Sequence, residues 1–290
     1  MEESGCFMIL DPRMKKTMAR FSGLLLLAGL GLAAPQACQA QAGAWSFLPG
    51  GHLFAPPLAD PREPQDSVLH RGDGNKYECS MGGALDLARF TSSEGSQWAW
   101  GAEGSAFLAI TDYASKFLDQ SFRLDDIDLG WGTYVSWLSG PLAGRLEYQR
   151  GSSHLGQFDF SALAPIAYQR DGLRLLASYQ PFDSLRFYGG PGFWFSAVPR
   201  APPLYAQAGT ELFTNPTGLA RGYFACDLKL GYESEGTLDA VFQAGVQWKG
   251  PGKGSPGFRL AVLYTDANNR YGQFSSQRDN HWSFGAFFDP

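Results

Sequence analysis

"DIDLGWGTYVSW", residues 126–137, alternates without a break. Ile127, Leu129, Trp131, Thr133, Val135 and Trp137 take one parity; Asp126, Asp128, Gly130, Gly132, Tyr134 and Ser136 take the other. Successive side chains of an extended chain point to opposite faces, so the stretch predicts a strand with one oily wall and one acidic or small wall. The same split recurs in "YFACDLKLGY" (223–232), "DAVFQAGVQWK" (239–249) and "GFRLAVLYT" (257–265). Between such stretches lie "QPFDSL", "ESEGTL", "KGPGKGSPG" and "SQRDN", whose Pro, Gly, Asp and Asn suit chain reversal. Short turns between alternating strands predict antiparallel hairpins. A helical period of 3.6 never outscores the period of two.

The oily faces carry aromatics near strand ends: Trp98, Trp137, Tyr232, Trp248 and Tyr264. That is the pattern of an interfacial girdle. The opposite faces carry charges of both signs, among them Glu78, Glu103, Asp126, Asp128, Arg145, Glu147, Arg174, Asp227, Lys229 and Arg259. The chain ends "HWSFGAFFDP" (281–290), an alternating aromatic strand of the kind that closes bacterial outer-membrane barrels, with Asp289 and Pro290 beyond the last aromatic. A strand crossing such a membrane needs about 9–11 residues, and only closure satisfies its backbone there. The fold expected is all-β: an antiparallel up-and-down transmembrane β-barrel of about 12 strands (range 10–12) over residues 76–290. A soluble periplasmic β protein is the alternative.

Two segments precede that barrel. "MKKTMARFSGLLLLAGLGLAAPQACQAQAG" (14–43) is basic, then apolar, then small, as a secretory signal peptide is. Residues 1–40 are read as that leader, with Met14 the natural start and cleavage after Ala40 or Ala42. Cys38 lacks the aliphatic neighbour of a lipidated cysteine. Residues 41–75 include "WSFLPGGHLFAPPLADPREPQ" (45–65), whose prolines exclude a central strand, so an extended segment outside the ladder is expected.

The formal charge is −5, and loss of residues 1–40, with three acids and four bases, takes it to about −6. No basic excess attracts nucleic acid. The partners implied are outer-membrane lipids, lipopolysaccharide and the barrel-assembly machinery. Cys79 and Cys226 remain after export, which permits a disulfide without establishing one.

The candidate chemistry lies in "EYQRGSSHLGQFDF" (147–160). Ser152 and His154 share a parity with Tyr148, the lipid-facing one unless Gly151 hosts a bulge. A serine with its histidine base on the outer wall is the arrangement of outer-membrane phospholipases. Ser152, Ser153 and His154 are therefore the candidate catalytic residues of an interfacial lipid hydrolase, phospholipase-like or lipid A deacylase-like. Glu147, Gln157 and Asp159 are the nearby groups for orienting the imidazole. The alternative is that these are polar residues where a strand leaves the membrane. His52, His70 and His281 sit apart in sequence, so no metal and no cofactor is expected. Asp125, Asp126 and Asp128 read as a solvated strand end rather than a calcium site.

"LFAPPLADPREP", "RLEYQRGSSHLGQF", "RFYGGPGFWF" and "YGQF" together resemble an uncharacterised family of bacterial exported proteins, over about Phe47 to the C-terminus. "ADPREP" (59–64) and "SSHLG" (152–156) are its specific elements. In that family a histidine precedes the double serine and Asp-Glu follows the glycine. Arg150, Gln157 and Phe158 stand at those places in this chain. The resemblance implies an outer-membrane location and assigns no activity. The leading expectation is a barrel with a structural or narrow-channel role.

Overall fold

The alternating stretches form strands that pair antiparallel with their neighbours. The computed structural model describes residues 43–112, 122–156, 165–249 and 257–289. The proposed leader, Gln157, Phe158 and Asp159 lie outside the described residues. The strands are β1 (Ala44–Phe47), β2 (Asp66–Arg71), β3 (Lys76–Thr91), β4 (Gln97–Asp112), β5 (Phe122–Ser139), β6 (Leu142–Leu155) and β7 (Tyr168–Phe182). They continue as β8 (Leu185–Val198), β9 (Leu204–Phe213), β10 (Ala220–Leu230), β11 (Leu238–Lys249), β12 (Gly257–Asn268) and β13 (Arg278–Asp289). Consecutive strands from β2 to β13 pair antiparallel, and β13 pairs back onto β2 from Ser283↔Arg71 to Phe288↔Asp66. Twelve strands therefore close into a barrel. Among the described residues the one helical element is a 3-10 turn, Gly272–Phe274.

The ladder begins earlier than the Lys76 boundary read from the sequence. β2 covers Tyr77–Ser80 of β3, and β1 lies on the same edge opposite Ala88–Thr91. The two short strands are one wall position interrupted by residues 48–65. The turns 92–96, 140–141, 183–184 and 214–219, the start of β1 and the end of β13 lie at one end of the barrel, called here the short-turn end. The segments 72–75, 199–203, 231–237 and 269–277, with the last residues of β4 and β6 and the first residues of β5 and β7, lie at the other, the loop end.

Outward side chains are apolar. Leu129, Trp131, Val135, Leu146, Trp248, Val262, Trp282 and Phe284 are all exposed. Aromatic rings meet across β11, β12 and β13 in two rows. Trp248, Phe258 and Phe288 form one row, with centroids 5.9 and 5.3 Å apart. Tyr264 and Trp282 form the other, 4.9 Å apart. Phe258 and Tyr264 are six residues apart on β12, so the rows bound a band roughly 20 Å long along the strand. Tyr232 departs from the expected girdle. β10 ends at Leu230, Gly231 takes a positive φ of 74°, and Tyr232 turns into the lumen beside Trp194 and Tyr205. Cys79 and Cys226 are both free thiols.

Inward side chains are mostly charged or polar and buried, as the alternation requires. The lumen nevertheless holds an apolar patch near its short-turn half, including Leu69, Val241, Leu263 and Phe287. The proline-rich segment supplies its partner. Leu58 and Ala59 lie against this patch, and Phe54 packs on Ala143 and Leu176. The segment is outside the ladder, as its prolines require, but inside the barrel.

Candidate functional site

The proline-rich segment is held in the lumen by charge. Asp60 accepts the Arg62 backbone N–H at 2.9 Å, a local turn that Pro61 pre-sets. That turn aims three charged side chains at three parts of the wall. Asp60, fully buried, meets Arg174 at 3.0 Å, Lys229 at 2.5 Å and Gln207 at 2.9 Å. Glu63 meets Arg174 at 2.8 Å and Arg145 at 2.9 Å. Arg62 reaches across to Asp128 at 3.0 Å. Burial would raise the Asp60 carboxyl, but Lys229 and Arg174 beside it outweigh this and hold it well below the ordinary carboxylate range. The wall continues the network: Arg174 also meets Glu147 at 3.0 Å, and Arg145 bonds Glu103. Nearer the short-turn end, Glu211 accepts the Leu58 N–H at 2.9 Å.

A second closure sits at the loop end. The Gly272 N–H donates to Asp128 at 3.1 Å, and the Gln273 N–H donates to Ser153 Oγ at 3.1 Å. Ser153 in turn donates to Asp126 at 3.0 Å. The Gln273 side-chain amide reaches the backbone carbonyls of Ser153 and Ile166 at 3.0 and 2.8 Å. The Tyr271 hydroxyl donates to the Leu108 carbonyl at 2.9 Å. The turn between β12 and β13 is thus tucked into the mouth of the barrel. Asp128 receives Arg62 from the internal segment and Gly272 from this turn, so "ADPREP", "SSHLG" and "YGQF" meet around one pair of carboxylates on β5. Beneath them Gly130 and Gly151 present no side chain, and a cavity of about 60 Å³ remains among Arg62, Asp128, Tyr168 and Arg170. That volume has room for a few water molecules.

The three candidate catalytic residues separate by parity. β5 and β6 pair without a break from Asp126↔Leu155 to Ser139↔Leu142, so Gly151 hosts no bulge. Ser153 points inward, is 4% exposed, and serves the closure just described. Ser152 and His154 share the outer wall, with Leu129 and Ile127 as their β5 neighbours. Two residues along a strand are roughly 6.7 Å apart. No hydrogen bond joins their side chains among the described residues. Glu147, one candidate for orienting the imidazole, is inside the barrel on Arg174 and Arg145. Gln157 and Asp159, the others, lie outside the described residues.

A different carboxylate faces outward beside them. Asp171 on β7 pairs with Arg150 in the ladder and accepts from Tyr148 at 3.1 Å and from Gln169, with the Arg150 guanidinium at 3.4 Å. Gln169 lies directly opposite Ser152. Tyr148 lies against Trp131 and Phe195 at 5.5 and 6.1 Å. A patch of polar groups therefore interrupts the oily wall near the loop end. The sequence carried the β6 half of it; the β7 half needed the register.

Residues 33–289 match the family described as a protein of unknown function, DUF1207. The chain belongs to this family. No curated protein matches it. Among solved structures, the DUF1207 barrel is similar to outer membrane phospholipase A from Escherichia coli, with a TM-score of 0.51 and 10% identity. The likeness covers 80% of this chain and 92% of that one. At that identity it bears on the fold alone, a closed antiparallel barrel with an oily exterior.

Proposed function

We propose that this protein is a bacterial outer-membrane barrel, exported behind its amino-terminal leader, whose lumen is kept shut by its own residues 48–65 and by the Tyr271–Phe274 turn. Its role is structural or that of a narrow transporter that opens when the internal segment moves. Its partners are lipid, lipopolysaccharide and the assembly machinery. The exposed apolar band and the closed ladder support the membrane placement, because open sheet edges do not occur in hydrocarbon. The observation that carries the closed state is Arg174, which binds Asp60 and Glu63 of the internal segment and Glu147 of the wall.

Planar-bilayer recording tests this. The wild-type barrel should show no steady conductance. Asp60→Asn combined with Glu63→Gln removes two negative charges from beside Arg145, Arg174 and Lys229. That variant should open and prefer anions. A wild type that conducts steadily rejects the closed-lumen reading, and a folded double variant that stays silent rejects Asp60 and Glu63 as the charges that hold the lumen shut.

One observation favours a second reading. Ser152 and His154 share the outer wall near the loop end, on a fold similar to one whose solved example is called a phospholipase. An interfacial lipid hydrolase would use them on the lipid beside the wall. Phospholipid and lipid A hydrolysis should then vanish in Ser152→Ala and His154→Ala. Absence of hydrolysis by the wild type rejects this reading.

A further inference from the structure

His281, Glu78 and Asp279 take no part in the ion pairs of Asp60 and Glu63 or in the bonds of the Tyr271–Phe274 turn; they lie on the inner wall near the loop end. Asp279 and His281 are on β13 and Glu78 on β3, brought together across β2. The sequence offered no metal spacing here, because the third residue lies about two hundred positions away from the other two. Each of the three offers one ligand atom, and these atoms all lie within 4.8 Å of one another. The His281 side chain is only 3% exposed, with Nδ1 3.2 Å from Asp279 and Nε2 3.7 Å from Glu78. Neither ring nitrogen makes a hydrogen bond of acceptable geometry. Ser283 Oγ, two residues on along β13, is also buried without a partner. Glu78, Asp279, His281 and Ser283 line one cavity of about 30 Å³ beside Asp60.

We propose that Glu78, Asp279 and His281 bind a divalent transition-metal ion of the zinc class. One imidazole and two carboxylates are hard-to-borderline donors suited to such an ion, and three protein ligands leave a position for water. Metal–ligand bonds of about 2.0–2.2 Å put neighbouring ligand atoms roughly 3.3 Å apart, so the three side chains need only close inward slightly. Two arginines face the cluster. Arg71 holds Asp279 through two bonds of 2.7 and 2.8 Å and reaches Glu78 at 3.4 Å, while also binding Asp73. Arg270 is 3.7 Å from Glu78. Each carboxylate has a further lone pair free of these contacts, and an arginine behind a ligating carboxylate is an ordinary outer-shell partner. The buried imidazole, close to two carboxylates but without a hydrogen bond of acceptable geometry to either, separates this cluster from a plain arginine–carboxylate network.

The untagged full chain in detergent, stripped with EDTA, is titrated with Zn²⁺ by calorimetry and with Co²⁺ by visible absorption. One saturable Zn²⁺ per chain and Co²⁺ ligand-field bands are expected. His281→Ala and Asp279→Asn should weaken binding at least about tenfold. Asn280→Ala, on the outer face between them, should leave binding unchanged. Each variant is first checked for compact migration in cold SDS. Wild type also carries its own test, because Zn²⁺ should raise its unfolding temperature and EDTA should reverse the rise. No saturable binding by wild type, no thermal shift, or equal binding by a folded His281→Ala overturns the site.

Discussion

A single parity step separates two adjacent serines with unrelated surroundings. Ser152 lies on the outer face beside exposed Leu129, while Ser153 is clamped between Asp126 and the Gln273 N–H. Asp60 shows how much one residue carries in such an interior. Its carboxylate is buried among Arg174, Lys229 and Gln207, so Asp60→Asn leaves two cations short of a partner. Removing one side of a buried pair costs about 3–5 kcal/mol. The carboxyl is held below its usual pKa, so its contribution is fully present above the ordinary aspartate value of about 4 and is lost as pH falls through the lower folded value. The stability gap between wild type and Asp60→Asn should therefore be constant near neutrality and narrow in acid. Unfolding midpoints measured from neutral pH down to strong acid check this; a gap that stays constant in acid shows that the charge of Asp60 is not what holds the segment.

At the scale of elements, the strands were legible and the internal segment was not. β5 and β10 to β13 follow from period-two alternation alone, because each position's face is fixed by its neighbours in sequence. The segment Leu48–Gln65 carries no comparable local signal. Its partners are scattered over β3, β5 to β10 and β12, so its prolines place it outside the ladder without saying on which side. The hint was the pair of acids Asp60 and Glu63 in a stretch otherwise rich in Pro and apolar residues, with Arg145, Arg174 and Lys229 facing inward on the wall. The candidate site was legible to the same degree. "SSHLG" fixed Ser152 and His154 on one face, while Asp126, Gln273 and Asp171 needed the pairing of β5, β7 and the β12–β13 turn. The end of β13 resolves a further departure from the expected pattern. The chain runs past its last aromatic, Phe288, because Asp289 pairs with Arg259, which is almost wholly buried, at 2.8 and 2.9 Å and accepts from Gln247 at 3.1 Å. Asp289→Ala should lower stability by about 1–3 kcal/mol, the worth of hydrogen bonds to a charged group. The measure is the midpoint of heat-induced loss of the compact form in SDS, and an unchanged midpoint removes this explanation of the extra residues.

For the whole molecule, the wall and its filling are separable. The ladder from β2 to β13 closes through backbone hydrogen bonds that use no residue between Leu48 and Gln65, and its exterior apolar surface is independent of what the lumen holds. Phe47 lies opposite Ala88 and Ser67 opposite Ser80, so the gap that the internal segment bypasses spans about eight residues of β3, roughly 26 Å. An eight-residue Gly/Ser linker in place of residues 49–64 is long enough to cross it along the wall. Arg145, Arg174 and Lys229 would then exchange carboxylate partners for water, which partly offsets the lost ion pairs. The shortened chain should still migrate as a compact form in cold SDS, unfold at a lower temperature, and conduct ions where the wild type does not. If it loses the compact form while β2 and β13 are intact, the internal segment is required for the barrel to close, and the lumen's ion network belongs to the folding of the wall rather than to its gating.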